Sequence, residues 1–224
     1  MVTDSARGVL FDVDGTLVDT TFIHAVCWAE ALRQHGHHLP MADLHHAIGM
    51  SSDQLLGHCL GEDRDKDDDE AIVAAHKTLS KQWWGRLTRL PGAQDLVRAC
   101  AERGLDVVLA SSAAEEELSA LRSALDADDA ITAATSSSDA DEGKPEPDIL
   151  QAALDESGLS ADQVVFVGDA VWDGRAAERA GITFIGVTCG GTPAEDLRAA
   201  GAVEVWDDPA HLLSNLDNSV MGTG

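Results

Sequence analysis

The sequence predicts an α/β fold: a parallel sheet with helices on both faces, and a small all-helical unit inserted after the first strand. Two observations predict it. From about residue 88 onward, apolar β-branched runs alternate with helical stretches, as in β-α-β units whose sheet is buried on both faces. Between residues 18 and 87 the alternation stops, apolar residues fall at helical spacing, and no run reads as a strand. The division is therefore 1–17 with 88–224 for the α/β core, and 18–87 for the insert.

The elements follow in order. RGVLFDV (7–13) is the first strand. The insert holds four helices: HAVCWAEALRQHG (24–36), ADLHHAIG (42–49), SDQLLGHCLG (52–61) and the longest, 69–87. Pro91 and Gly92 mark the turn back into the core. AQDLVRACAERG (93–104) is a helix with Leu96, Val97 and Cys100 on one face and Gly104 as its stop. LDVVLAS (105–111) is a strand, 113–125 a helix, 147–158 a helix and QVVFVGD (163–169) a strand. A helix (173–181), a strand (182–188), a helix (192–200) and a short strand (202–206) complete the alternation.

With 44% hydrophobic residues the chain can bury a sizeable core. No apolar run reaches membrane-spanning length, and MVTDSARG lacks the charged-then-apolar layout of a signal peptide, so a cytoplasmic location is expected. Cys27, Cys59, Cys100 and Cys189 are scattered without C-x-x-C spacing, which suggests neither a zinc knuckle nor a disulfide framework. Forty acidic residues against fifteen basic give a net charge of −25. Such a surface excludes nucleic acid and anionic membranes as expected partners, because both need a basic footprint. A phosphate site on this chain has to be made locally, by a metal ion and a few basic or amide donors.

Chemistry concentrates at the carboxyl ends of the strands, where open parallel sheets bind ligands. Asp12 and Asp14 end the first strand, and alternation along a strand would aim both into one site. Two adjacent carboxylates resist joint ionisation, and a hard divalent cation such as Mg²⁺ removes the conflict. A calcium loop is the rival reading of DVDG, but its pattern needs an acid at Leu10 and a Glu at Thr21. The acidic run 62–70 fails the same test and reads as a solvated loop entering a helix N-terminus. Ser111 and Ser112 stand at a strand-to-helix turn, where hydroxyl and amide groups hold phosphate. Lys144 lies between Gly143 and Pro145 just before a helix. Asp169 follows another apolar strand, and Asp173 is a helix cap, a metal ligand or an acceptor behind one. Singly, each has an ordinary structural explanation. Four in order, each at the end of a strand or the start of the following helix, do not.

FDVDGTLVDT, VVLASS, GKPEPDIL and VVFVGDAVWDGRAAERAG together resemble the haloacid dehalogenase-like hydrolase superfamily over residues 7 to about 190. The insert and the tail GVTCGGTPAEDLRAAGAVEVW resemble its phosphoglycolate phosphatase and β-phosphoglucomutase-like branch, with a helical cap on a Rossmann-like core. The resemblance implies Asp12 as nucleophile and Asp14 as general acid and base. It implies Mg²⁺ held by the Asp12 carboxylate, the Asp14 backbone carbonyl and Asp169, with Asp173 close by. Ser111, Ser112 and Lys144 would then bind phosphoryl oxygens. The implied substrate is a small phosphorylated metabolite, and a monomer is expected because a cap must open.

Asp14 favours phosphate esters, since dehalogenases and phosphonatases of the superfamily differ at that position. Mutases of this branch carry an arginine in the cap loop for a second phosphate. The corresponding loop here, IGMSSDQ (48–54), has no basic residue, which leaves a sugar-phosphate mutase as the alternative and a non-catalytic binding module as a more distant one. Candidate cap contacts are His46, Met50, Ser51, Lys77, Lys81, Trp84 and Arg86, although Trp83 and Trp84 have packing as their ordinary role. The six histidines His24, His35, His37, His38, His45 and His46 lack the two-His-plus-acid spacing of a zinc hydrolase.

Overall fold

The computed structural model describes residues 6–222; the first five residues of MVTDSARG and residues 223–224 lie outside the described residues. Six parallel strands form one sheet: β1 (Gly8–Phe11), β2 (Asp106–Ala110), β3 (Ala133–Thr135), β4 (Val164–Gly168), β5 (Thr183–Val187) and β6 (Ala202–Trp206), in the order β3-β2-β1-β4-β5-β6. The order reverses between β1 and β4, so the crevice beyond their carboxyl ends is where such a sheet binds ligands.

Alternation along the strands sorts the core. Val9, Phe11, Val107, Leu109, Val165 and Val167 face one side, against α5 (Ala93–Glu102), α6 (Glu115–Leu125) and α10 (Pro209–Ser214). Leu10, Val108, Ala110, Phe166 and Phe184 face the other, against α7 (Asp148–Ser157), α8 (Val171–Ala180) and α9 (Ala194–Ala199). β1 and β4 are buried along their whole length because helices cover both faces.

The insert forms α1 (Thr21–Gln34), α2 (Met41–Ala47), α3 (Ser52–Leu60) and α4 (Asp69–Lys81), packed around their own apolar cluster of Trp28, Leu32, Leu44, Leu55, Leu56 and Ile72. The two chain segments joining it to the core run side by side. Val18 forms an antiparallel bridge with Arg89, the Asp19 amide donates to the Thr88 carbonyl (3.0 Å), and the Leu90 amide to the Leu17 carbonyl (2.9 Å).

Three expectations need correction. The fourth insert helix stops at Lys81, and a separate 3-10 turn covers Trp84–Arg86. Gly85 weakens helix continuation, and the Trp84 indole N–H is drawn to Glu117 on α6 (3.3 Å) while Lys81 pairs with Glu116. β3 and α10 have no counterpart in the sequence reading. β3 is three residues long and alanine-rich, and is held at the sheet edge by the Thr132 amide on the Val107 carbonyl (2.8 Å). α10 is capped by Asp208, which accepts from the His211 amide (2.8 Å). Finally, β1 ends at Phe11, so strand alternation is not what aims Asp12 and Asp14. Among the described residues no helix is long and apolar enough to cross a membrane.

Candidate active site

Asp12 is the first residue beyond β1, and its amide donates to the Val167 carbonyl of β4 (2.9 Å). This seats its carboxylate at the reversal point of the sheet. The next residues turn sharply, with the Leu17 amide on the Val13 carbonyl (2.9 Å) and the Gly15 amide on the Val18 carbonyl (2.8 Å). Gly15 has φ +79°, and a Cβ there would stand 2.5 Å from Asp169 Oδ2. The turn therefore needs glycine for both its backbone and its closeness to the second acid.

Asp12, Asp169 and Asp173 converge, with one carboxylate oxygen from each lying within 4.8 Å of the others. Their exposures are 6, 4 and 1%. Lys144 is fully buried among them, its Nζ 2.5 Å from Asp12 Oδ1 and 2.8 Å from Asp173 Oδ1. Asp173 also caps α8 by accepting from the Ala170 amide at Oδ2 (2.9 Å), and Thr16 Oγ1 donates to Asp169 Oδ1 (3.0 Å). Burial, with the charges of Asp173 and Asp14, pushes the Asp12 carboxyl up to about 7 against the pull of Lys144. Asp169 is pushed well above its usual range by burial and the charges of Asp12 and Asp173. Burial works against the Lys144 charge, yet Asp12 and Asp173 hold it above the usual lysine value. Three carboxylates and one ammonium leave two negative charges in a buried, all-oxygen setting. That is the donor set and the charge deficit that a hard divalent cation fits.

Asp14 faces elsewhere. Its carboxylate is outside this trio and accepts from Thr20 Oγ1 (2.6 Å) and His24 Nε2 (3.3 Å). His24 Nδ1 in turn meets His76 Nε2 (3.2 Å), and His76 stacks on Trp28 with ring centroids 4.1 Å apart. Burial opposes ionisation of Asp14, but the His24 contact outweighs it and its carboxyl lies below the usual range. Burial likewise opposes a charged His24, yet Asp14 and Glu117 raise its pKa. Burial and the His24 cation pull His76 down to about 3. A neutral His76 therefore accepts from His24 Nδ1–H while Nε2–H is directed at Asp14.

Asp12 and Asp14 open onto one cleft of about 540 Å³ between the core and the insert. The whole 48–54 segment lines it, including Met50 and Ser51, and so does Lys77. Of the other expected cap contacts, His46, Lys81, Trp84 and Arg86 are absent from the lining. Trp84 and Lys81 are engaged with α6, Arg86 stacks over Trp83, and the His46 carbonyl accepts the Trp172 indole N–H (2.7 Å). Ser112 lines the cleft, and its buried Oγ has no hydrogen-bond partner among the described residues. Ser111 is fully buried and accepts from the Ala113 amide at Oγ (3.1 Å).

Sequence reasoning had no signal for Glu117, His76 or Gly190, and it singled out His24 only as part of a histidine cluster. A Cβ on Gly190 would lie 1.6 Å from Asp169 Oδ2, and the Gly190 carbonyl receives His45 Nε2 (2.9 Å). Gly190→Ala is therefore expected to displace Asp169 and weaken divalent-cation binding by the trio about 100-fold, a scale typical of disturbed metal-site geometry. Thermal melts across a Mg²⁺ titration would check it, and an unchanged response to the cation would contradict it.

A family model described as haloacid dehalogenase-like hydrolase matches residues 6–181. A phosphoglycolate phosphatase of Rhodospirillum rubrum is 30% identical over 219 residues, covering 92% of this chain and 89% of its own length. The crystal structure of a hydrolase from Pseudomonas syringae is similar at TM-score 0.90 and 31% identity, covering 95% of this chain and 98% of that one. A β-phosphoglucomutase from Clostridium difficile shares the fold at TM-score 0.82, with 17% identity and coverage of 96% and 97%.

Proposed function

The chain belongs to the haloacid dehalogenase-like hydrolases, and from that premise we propose that it is a Mg²⁺-dependent phosphatase. It hydrolyses a small phosphorylated metabolite, a sugar phosphate or a phosphoglycolate-like ester, through an aspartyl-phosphate on Asp12. One observation carries the proposal: the buried trio Asp12, Asp169 and Asp173 built around the fully buried Lys144. We further read residues 18–87 as a cap over this site.

Asp12 Oδ attacks phosphorus, and the bond from phosphorus to the ester oxygen breaks. That leaving oxygen takes a proton from Asp14. The proton resides on the Asp14–His24 pair, whose 3.3 Å contact lets His24 hold it until the leaving oxygen needs it. In the second half Asp14 accepts a proton from water, and the water oxygen displaces Asp12 from phosphorus. Lys144 and the Ser111–Ser112 turn bind the transferring oxygens, Ser112 Oγ being the hydroxyl with no protein partner. Asp12, Asp169 and the Asp14 carbonyl would hold Mg²⁺, with Asp173 beside them. When bound, the ion neutralises phosphate charge and lets Asp12 stay ionised. The 48–54 wall of the cleft carries no basic residue, which supports hydrolysis over a mutase that must grip a second phosphate.

The test is phosphate release from a panel of phosphate monoesters with Mg²⁺ and with EDTA. Release is expected only with the metal. Mg²⁺ at 100 times its Kd should also stabilise the fold by about 2.7 kcal/mol, seen as a rise of about 5–10 °C in Tm. Undiminished release in EDTA would exclude the metal, and no release from any ester would exclude the phosphatase.

A further inference from the structure

We infer that the leaving group this site accepts is an uncharged polyol rather than a carboxylic acid, and that Glu117 is the residue that enforces the choice. This inference rests on the phosphatase reading and narrows it. The phosphoryl end of a substrate is provided for by Lys144 and the acid trio. The rest of the cleft must therefore recognise what leaves. Beyond Asp12 and Asp14, its charged lining consists of Glu117, Asp53, Asp141 and Glu142 against Lys77 and His24, the latter shared between Asp14 and Glu117. Among the described residues no arginine lines it. Lys77 is exposed, and it also borders an adjoining groove with Asp53, Asp69 and Glu70.

A second anionic group on the substrate would thus enter a region of like charge, and such juxtaposition is a strong means of rejection. Hydroxyl groups meet the opposite situation. The side chains of Ser51, Ser52, Gln54 and the acids offer acceptors, while Ile48 and Met50 offer an apolar face to carbon-bound hydrogen.

Among the four acids Glu117 is distinguished by position. Asp53, Asp141 and Glu142 are exposed. Glu117 sits in the first turn of α6 with its side chain 13% exposed. Its Oε1 accepts from the Trp84 indole (3.3 Å) and lies 3.9 Å from His24 Nε2, the atom that also contacts Asp14. It is held beside the group that protonates the leaving oxygen, where charge on the leaving group is felt most. Its role is specificity, through the substrate's charge.

The test compares kcat/KM, with Mg²⁺, for glycerol 3-phosphate, erythrose 4-phosphate and glucose 6-phosphate against 2-phosphoglycolate, using p-nitrophenyl phosphate as a leaving group with no acid of its own. The best polyol phosphate is expected to exceed 2-phosphoglycolate by at least about tenfold. Glu117→Gln should narrow that ratio at least about threefold by raising turnover of the acid substrate, and Glu117→Asp, which keeps the charge, should preserve it. Preference for 2-phosphoglycolate, with p-nitrophenyl phosphate still hydrolysed, overturns the inference and leaves the phosphatase standing. A ratio unmoved by Glu117→Gln overturns the assignment to Glu117. Failure of every ester, p-nitrophenyl phosphate included, overturns the phosphatase itself.

Discussion

Asp12→Asn is expected to abolish phosphate release, by at least about 10³-fold in kcat, while leaving a folded protein. The carboxylate is the attacking group in the proposed reaction, and a carboxamide of the same shape cannot form the acyl-phosphate. The fold should tolerate the change well. Asp12 is one of three buried acids, and burial disfavours its ionisation even beside Lys144, so a neutral side chain removes repulsion, and Lys144 keeps Asp173 as its partner at 2.8 Å. The variant's Tm in EDTA should equal or exceed that of the unmodified chain. Its gain on adding Mg²⁺ should be smaller, because one proposed ligand is weakened. Phosphate release combined with paired melts separates the two effects, and full activity in the variant would rule out Asp12 as nucleophile.

Lys144→Met carries the opposite signature. It is expected to cost both activity and stability. Removing one partner from a buried ion pair destabilises by about 3–5 kcal/mol, because the remaining charges are uncompensated. Here the lower end applies, since Asp12 can take up a proton when its cation is lost. About 3 kcal/mol corresponds to a Tm drop of about 6–12 °C for a chain of this size. Activity should fall about 10³-fold, because in the proposed reaction this charge is aimed at the transferring phosphoryl group. Adding Asp173→Asn, which removes one orphaned charge and keeps the oxygen that caps α8, should restore part of the Tm and none of the activity. A single variant as stable as the unmodified chain would show that the Lys144 pairs contribute nothing net to the fold.

The elements that sequence reasoning located are those whose local pattern and burial agree. β1, β2, β4 and β5 are β-branched or aromatic runs buried on both faces, and each is legible from composition alone. β3 escaped because Ala-Ala-Thr carries little intrinsic strand preference, and its pairing with β2 supplies what the residues do not. The placement of Asp12 and Asp169 followed from strand ends, and that of Lys144 and Asp173 from the starts of helices, because a parallel sheet gathers both in one crevice. Strand alternation does not orient Asp14, since β1 is too short to reach it. Glu117, His76 and Gly190 were invisible for another reason. Each acts through a neighbour far away in the chain, and no local spacing encodes that a helix of the insert will lay an imidazole against another 52 positions earlier.

The adjacency of the two segments at Val18 and Arg89 also bears on how the chain finds its fold. β1 pairs only with β2 and β4, both on the far side of the insert, so the sheet cannot begin with its central strand and a near neighbour. Closing a flexible loop of about 70 residues costs on the order of 4 kcal/mol of chain entropy before any pairing returns it. α1 to α4 pack mainly on one another, so they can assemble ahead of the sheet and bring their own two ends together. The assembled helices then act as a short-circuit. β1 meets β2 across what amounts to a short connection, supplied by the part of the chain that contributes no strand to the sheet.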